Sequence, residues 1–131
     1  MDHRKENWPF ELECFRKGIS GEDGYFTEIS NHYVEEREEI RGYDRVDIAC
    51  ALLTGCIIEG YSFEENWKRQ SRSKSLATPS RCILGKTVSG DWVVVVVGIW
   101  SSKRFSVITC TAPGHRHLQT IKELEVKFGW N

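Results

Sequence analysis

Long hydrophobic runs are missing from this sequence. No stretch approaches the roughly 20 apolar residues that cross a bilayer, and the N-terminus MDHRKENWPF lacks the apolar core of a signal peptide. We therefore expect a cytoplasmic protein with no membrane partner. The sequence also contains no glycine-rich phosphate loop, no Ser–His–Asp signature and no convincing pair of catalytic carboxylates.

The cysteines do not form the pattern of a disulfide framework. Their number is odd and most lie within apolar runs, which favours reduced, buried thiols and disfavours a cysteine nucleophile. Cys110, His115 and His117 have a spacing that could suit zinc, but no CxxC pair accompanies them. We therefore predict no metal and no cofactor. The five cysteines are Cys14, Cys50, Cys56, Cys82 and Cys110.

Acidic residues are scarce in the second half of the chain. Residues 66–131 contain 11 Lys/Arg and 3 Asp/Glu, whereas residues 1–65 contain 7 and 16, so balances of +8 and −9 underlie the net charge of −1. Six basic residues and no acidic one lie between Asn66 and Gly90. Such a field can attract a phosphate backbone by counterion release. Alternatively, the two halves neutralise each other within the fold, or the basic loop is simply solvated.

The length of 131 residues predicts a single domain. Caps and apolar spacing predict helices, and β-branched runs separated by hairpin-length links predict an antiparallel meander. The fold class is therefore α+β, with N-terminal helices packed on a four-stranded, mainly antiparallel sheet and a further helix at the C-terminus. The predicted helices are 9–17, 32–40, 45–54 and 117–128, and the predicted strands are 56–61, 81–87, 92–100 and 105–111.

Two apolar patterns locate the predicted core. Val93–Val97 is too continuous for a strand with one wet face, so it should lie in the middle of the sheet and be covered on both sides. In the helix 45–54, one apolar stripe is predicted. That stripe comprises Val46, Ile48, Ala49, Leu52 and Leu53.

Several short phrases resemble a known family. Ser30-Asn31-His32 through Arg41-Gly42, Gly-Cys-Ile-Ile-Glu-Gly-Tyr at 55–61, Arg81-Cys-Ile-Leu-Gly-Lys-Thr and Phe105-Ser-Val-Ile-Thr-Cys-Thr-Ala-Pro carry the resemblance, together with the Val93–Val97 strand. They are similar to uncharacterised relatives of the BrnT toxins, within the broader RelE-like fold. The resemblance covers about residues 29–113 as a RelE/BrnT-like core, and it leaves outside the core an N-terminal helical extension 1–28 and a C-terminal tail or helix 114–131.

The resemblance implies a small ribonuclease toxin that cuts messenger RNA and is neutralised by a protein antitoxin. His32, at the start of a helix, and Arg81, at the start of a strand, match the family's histidine and second arginine. The arginine expected one turn after the histidine corresponds to Arg37, one residue away from the family spacing, or to Arg41.

Metal-independent RNA cleavage needs a base, an acid and cations that stabilise the phosphorane. Histidine and arginine supply these groups at neutral pH. The predicted catalytic residues are His32, Arg81, Arg37, His115 and His117, and the predicted RNA-binding residues are Lys68, Arg69, Arg72, Lys74, Lys86, Arg116 and Trp67. Trp92 and Trp100, at strand ends, are further candidates for stacking on bases.

Simpler uses of the same residues remain open. Arg81 could form an ion pair with the acidic helices, His32 could satisfy a local hydrogen bond, and His115 and His117 could belong to an exposed tail. The whole domain could be a non-catalytic RNA- or protein-binding module with an acidic protein partner. Residues 1–28 could cover the basic sheet, and the strand edge Phe105–Thr111 could pair with its copy in a homodimer.

Overall fold

The computed structural model describes residues 5–29, 43–61 and 79–128. Their α-helices and strands follow in the order α1 (Trp8–Ser20), β1 (Phe26–Glu28), α2 (Arg45–Thr54), β2 (Cys56–Tyr61), β3 (Ser80–Lys86), β4 (Trp92–Ile99), β5 (Arg104–Thr111) and α3 (Leu118–Phe128). The predicted helix 32–40 and most of the predicted loop 62–80 lie outside the described residues. The α+β class and the helices at both termini are confirmed.

The sheet has five strands in the order β1-β5-β4-β3-β2. Strands β2 to β5 pair antiparallel, as predicted, whereas β1 pairs in parallel with the start of β5. The prediction of four strands missed β1. This strand is three residues long and buries only Thr27, so it is too short to show a recognisable alternation of buried and exposed residues. The extension 1–28 is therefore not wholly helical. Phe105 and Ser106, predicted to lie at a strand edge, are paired with β1.

Strand β4 is covered on both faces, as its valine run predicts. Val93, Val95 and Val97 pack in the core formed with α1 and α2. Val94 packs on the other face with Leu84 of β3 and Ile121 of α3. A continuous apolar run is stable here because side chains pack on both faces of the strand, and only Trp92 and Val96 are partly exposed.

Helix α1 is tied to the sheet by its second half. Phe15 is fully buried and its ring meets that of Phe105 edge-on at 4.7 Å between centroids. The Thr27 hydroxyl donates to the Phe15 carbonyl oxygen at 2.9 Å. Gly18 makes this approach possible, since a Cβ there would lie 2.1 Å from Thr27 Oγ1. The helix ends at Gly21, whose φ of 73° is left-handed.

Helix α2 begins with a reciprocal cap. The Asp47 amide donates to the Asp44 carboxylate at 2.9 Å, and the Asp44 amide donates to the Asp47 carboxylate at 3.4 Å. The helix bounds agree with the prediction, but the predicted stripe is partly wrong. Val46 and Leu53 are exposed. The buried positions are Ile48, Ala51 and Leu52. Ala51, which the predicted stripe did not include, is buried because it lies directly against the backbone of β3.

Two further sequence expectations concern the membrane and the cysteines. Among the described residues, no helix is long and apolar enough to cross a bilayer. All five cysteines are thiols rather than disulfides, as predicted, and Cys14, Cys82 and Cys110 are buried.

Candidate nucleic-acid interface

One end of the sheet brings together the ends of several strands. Tyr61 at the end of β2 pairs with Ser80 at the start of β3, and Ser80 pairs with Gly98 near the end of β4. The connection from β4 to β5 and the start of the parallel strand β1 lie at the same end. Tyr61 and Ser80 also flank segment 62–78, which carries most of the predicted RNA-binding residues.

Exposed or half-buried aromatic rings are paired with cations at this end. The Arg104 guanidinium lies 5.8 Å from the centroid of Phe26, a ring that is 48% exposed. The ammonium groups of Lys103 and Lys17 lie 5.0 and 5.7 Å from the centroid of Tyr25. We refer to Lys17, Tyr25, Phe26, Lys103 and Arg104 as the cation–aromatic cluster.

An acidic residue lies beside the cluster. Asp23 is the acidic neighbour, with its carboxylate 3.7 Å from Lys17 Nζ, and its backbone oxygen accepts a hydrogen bond from Lys103 Nζ at 2.9 Å. Hydrogen bonding with the Cys14 side chain, followed by the charge of Cys14 and burial, raises the pKa of Tyr25. The phenol is therefore neutral at physiological pH, and its ring face is available to cations.

A pocket of about 270 Å³ adjoins the cluster, between α1 and the β4–β5 connection. Phe10, Phe15 and Phe105 provide aromatic walls, and Ile99 adds an aliphatic one. Asn7, Glu11 and Ser102 supply its polar lining. The arrangement suits a flat, mostly apolar group that carries a few hydrogen-bonding atoms.

Arg81 is fully buried and bound to Glu11. Its Nε donates to Oε1 of Glu11 at 2.7 Å, one terminal nitrogen donates to Oε2 at 3.0 Å, and the other donates to the Ser80 carbonyl oxygen at 2.8 Å. The alternative interpretation of Arg81, an ion pair with an acidic helix, is confirmed. This guanidinium is directed toward a carboxylate inside the protein and not toward solvent.

His117 is also buried, and both of its ring nitrogens are engaged. The Gly114 amide donates to Nδ1 at 3.3 Å, so Nε2 carries the hydrogen and donates to Glu59 Oε1 at 3.1 Å. The alternative interpretation, that His117 belongs to an exposed tail, is wrong, since the side chain is buried and links the start of α3 to Glu59 of β2. His115, two residues earlier, is exposed.

Of the remaining predicted residues, some lie in the described part of the chain and the others lie outside it. Lys86 lies at the far end of β3 from the cluster, with its ammonium 4.9 Å from the ring centroid of Trp92. The backbone of Arg116 lies in the 3₁₀ turn His115–His117. Within the described part of the chain, no group of three His, Cys, Asp or Glu residues could hold a metal. The residues outside that part are His32, Arg37, Arg41, Trp67, Lys68, Arg69, Arg72 and Lys74.

A family model described as a domain of unknown function, DUF4258, matches residues 29–111, which is more than half of the chain. The chain belongs to the DUF4258 family. No curated protein and no solved structure matches it. The DUF4258 match includes β2 to β5 but leaves out α1, β1 and α3. Glu11 and three members of the cation–aromatic cluster, Lys17, Tyr25 and Phe26, therefore lie outside the matched segment.

Sequence reasoning named Trp100 at this end but missed the cluster itself. The phrase Trp100-Ser-Ser-Lys-Arg-Phe105 holds two basic residues between two aromatic ones and could have suggested it. Tyr25 and Phe26 gave no such signal, because the parallel pairing of β1 with β5 brings them to Lys103 and Arg104.

Proposed function

We propose that this DUF4258 protein binds single-stranded RNA at the end of the sheet that carries the cation–aromatic cluster. The observation that supports it best is the pairing of exposed or half-buried rings with cations, Phe26 with Arg104 and Tyr25 with Lys103. Trp100, 56% exposed, adds a further ring in the same connection. The flanking segment 62–78 contributes four basic residues and Trp67 in sequence.

Single-stranded RNA is recognised by the combination of residues found here. Cations neutralise its phosphates, and every base offers a ring face to an aromatic side chain, with about 1–3 kcal/mol per stacked base. Duplex RNA hides its base faces within the stack. The cluster therefore supports binding of unpaired strands in preference to duplexes.

Binding is better supported than cleavage by the described residues. Two of the predicted catalytic groups, Arg81 and His117, are buried and engaged with Glu11 and Glu59. Metal-independent endoribonuclease activity, its neutralisation by a protein antitoxin and homodimer formation stay predictions that rest on the resemblance and on the sequence. For cleavage, the other predicted histidines and arginine are the exposed His115 and, outside the described residues, His32 and Arg37.

Fluorescence anisotropy with a labelled 12-nucleotide RNA would test binding. Phe26→Ala and Arg104→Gln should each weaken binding of the single strand by several-fold to about a hundredfold, in line with the loss of one stacking or phosphate contact. Lys122→Gln is the matched control, since Lys122 is an exposed cation on α3, away from the cluster. Equal affinity for single strand and duplex, or equal losses in all three variants, would contradict the proposal.

Cleavage is tested separately with the same RNA in EDTA. Wild type, His32→Ala and His115→Ala are incubated with RNA and the products are resolved on a gel. Metal-independent cutting that His32→Ala abolishes would establish the endoribonuclease function in addition to binding. Intact RNA with all proteins, at concentrations that saturate binding, would leave binding as the function.

A further inference from the structure

The pocket beside the cation–aromatic cluster has the size of a single ring system. Its volume of about 270 Å³ lies just below the roughly 300–1,000 Å³ typical of sites for drug-sized ligands. Phe15 and Phe105 form its inner aromatic wall, and Phe10, 69% exposed, stands at its mouth. A planar group that enters would therefore have aromatic carbon around it.

Two polar side chains in the lining have hydrogen-bonding capacity to spare. Asn7 occupies the N-cap position of α1, yet its side chain makes no capping hydrogen bond. Among the described residues, the Ser102 hydroxyl also has no hydrogen-bond partner. An amide presents a donor and an acceptor side by side, the arrangement that pairs with the edge of a nucleobase.

The charges around the pocket favour a neutral ring inside and a phosphate outside. Glu11 lines the pocket, but both of its oxygens bind the Arg81 guanidinium, so the two charges offset each other. The next residues along the chain from Ser102 are Lys103 and Arg104, two of the three cations of the cluster. A nucleotide with its base in the pocket would place its backbone toward these cations.

We infer that this pocket holds one nucleobase, turned out of the stack of a bound single-stranded RNA. The inference deepens the proposed function and rests on it. Asn7 and Ser102 bind the polar edge of the base, Phe10 and Phe105 contact its faces, and the cation–aromatic cluster binds the adjoining phosphates. The site selects unpaired nucleotides because a paired base cannot leave the helix without losing its partner.

The test combines RNA binding with binding of free nucleosides, which carry no phosphate. Phe10→Ala should weaken binding of the 12-nucleotide RNA by about tenfold. Asn7→Ala should weaken binding of one homopolymer in a set of four more than it weakens binding of the other three, because the amide contacts the edge of one kind of base. Val126→Ala is the control, since Val126 is an exposed apolar residue on α3. Nucleosides should shift the amide NMR signals of Phe10, Ser102 and Phe105 in wild type.

The outcomes separate the two proposals. RNA binding that depends on Arg104 but is unchanged in Phe10→Ala and Asn7→Ala would overturn the nucleobase pocket and leave the proposed function intact. Nucleoside signals that shift at these residues without any RNA binding would overturn the proposed function and, with it, the RNA-bound base, and would leave a site for free nucleosides alone. Neither RNA binding nor nucleoside shifts in folded wild type would overturn both.

Discussion

Arg81 and His117 lie on opposite faces of the same sheet. Arg81 of β3 pairs with Gly60 of β2, and its side chain reaches Glu11 of α1. In the next pair along these two strands, Cys82 with Glu59, the side chains face α3. His117 meets Glu59 on that second face. Because a sheet separates the two side chains, they do not reach one phosphate group in this structure. Each instead joins a flanking helix to the sheet.

The first prediction concerns the buried ion pair between α1 and β3. Glu11→Ala should lower the free energy of unfolding by about 3–5 kcal/mol, because it removes two charge-assisted hydrogen bonds from the fully buried Arg81 guanidinium. The matched control is Glu13→Ala on the same helix, which removes a more exposed partner of Arg16. It should cost less than about 1 kcal/mol. Urea denaturation followed by circular dichroism measures both.

A double variant separates the structural role of Arg81 from its predicted catalytic role. Glu11→Leu with Arg81→Met replaces both charges by apolar groups and should recover most of the lost stability. If this folded variant binds and processes RNA as wild type does, Arg81 is structural. If it folds but loses a cleavage activity that wild type has, the catalytic prediction for Arg81 is supported.

The second prediction compares two histidines in one turn. His117→Ala should lower the free energy of unfolding by about 1–3 kcal/mol, because the Glu59 carboxylate and the Gly114 amide lose their shared partner. His115→Ala should change it by less than about 0.5 kcal/mol, since His115 is exposed. Similar losses in the two variants would contradict the structural assignment of His117.

The sheet and its helices could be predicted because their signals are local. The bounds of β2 and α2 agree with the prediction, since glycine stops, an aspartate cap and β-branched runs mark them in the sequence itself. Strand β1 could not be predicted in the same way. Its pairing with β5 links residues almost eighty positions apart, and Gly18 and Thr27 reveal their contact only in the folded chain.

The candidate site was harder to predict than the fold. Residue type suggested that Arg81 and His117 handle phosphate, but type alone does not show that Glu11 and Glu59 already occupy them. The acidic half of the chain did suggest internal neutralisation, and for Arg81 that interpretation is confirmed. The pocket depends on the packing of α1 over the β4–β5 connection, for which no sequence pattern existed.

The third prediction concerns the close contact between α2 and β3. Gly85→Ala should lower the free energy of unfolding by about 1–3 kcal/mol or more, because the added Cβ would lie 2.1 Å from the Ala51 carbonyl oxygen, which is backbone and cannot rotate away. Gly114→Ala is the control, since a Cβ there meets nothing within 4 Å and φ is −91°. It should be neutral or stabilising by up to about 1 kcal/mol. Thermal unfolding that ranks the two variants in the reverse order would contradict this packing.

The fourth prediction concerns the salt dependence of RNA binding. Each phosphate contact on a single strand contributes about 0.7 to the slope of log K against log salt. Replacing Lys103 and Arg104 together by glutamine should therefore make the slope less steep by about 1.4, if each binds one phosphate. Lys122→Gln should leave it unchanged. Anisotropy titrations from low to moderate salt give the slope, and an unchanged slope in the double variant would place RNA elsewhere on the protein.

The fifth prediction concerns Cys56 at alkaline pH. Burial raises the pKa of its thiol, while Lys127 and Arg16 oppose the shift. The folded state therefore holds the thiol proton more tightly than the unfolded chain does. The contribution of Cys56 to the free energy of unfolding is fully present below the ordinary thiol pKa of about 8.5, and it is lost as the pH rises above that value. We expect the free energy of unfolding to fall less steeply above that pH in Cys56→Ala than in wild type. Peptide-resolved alkylation checks the cause, because Cys56 in folded protein should react at higher pH than it does in urea, and coincident profiles would refute it.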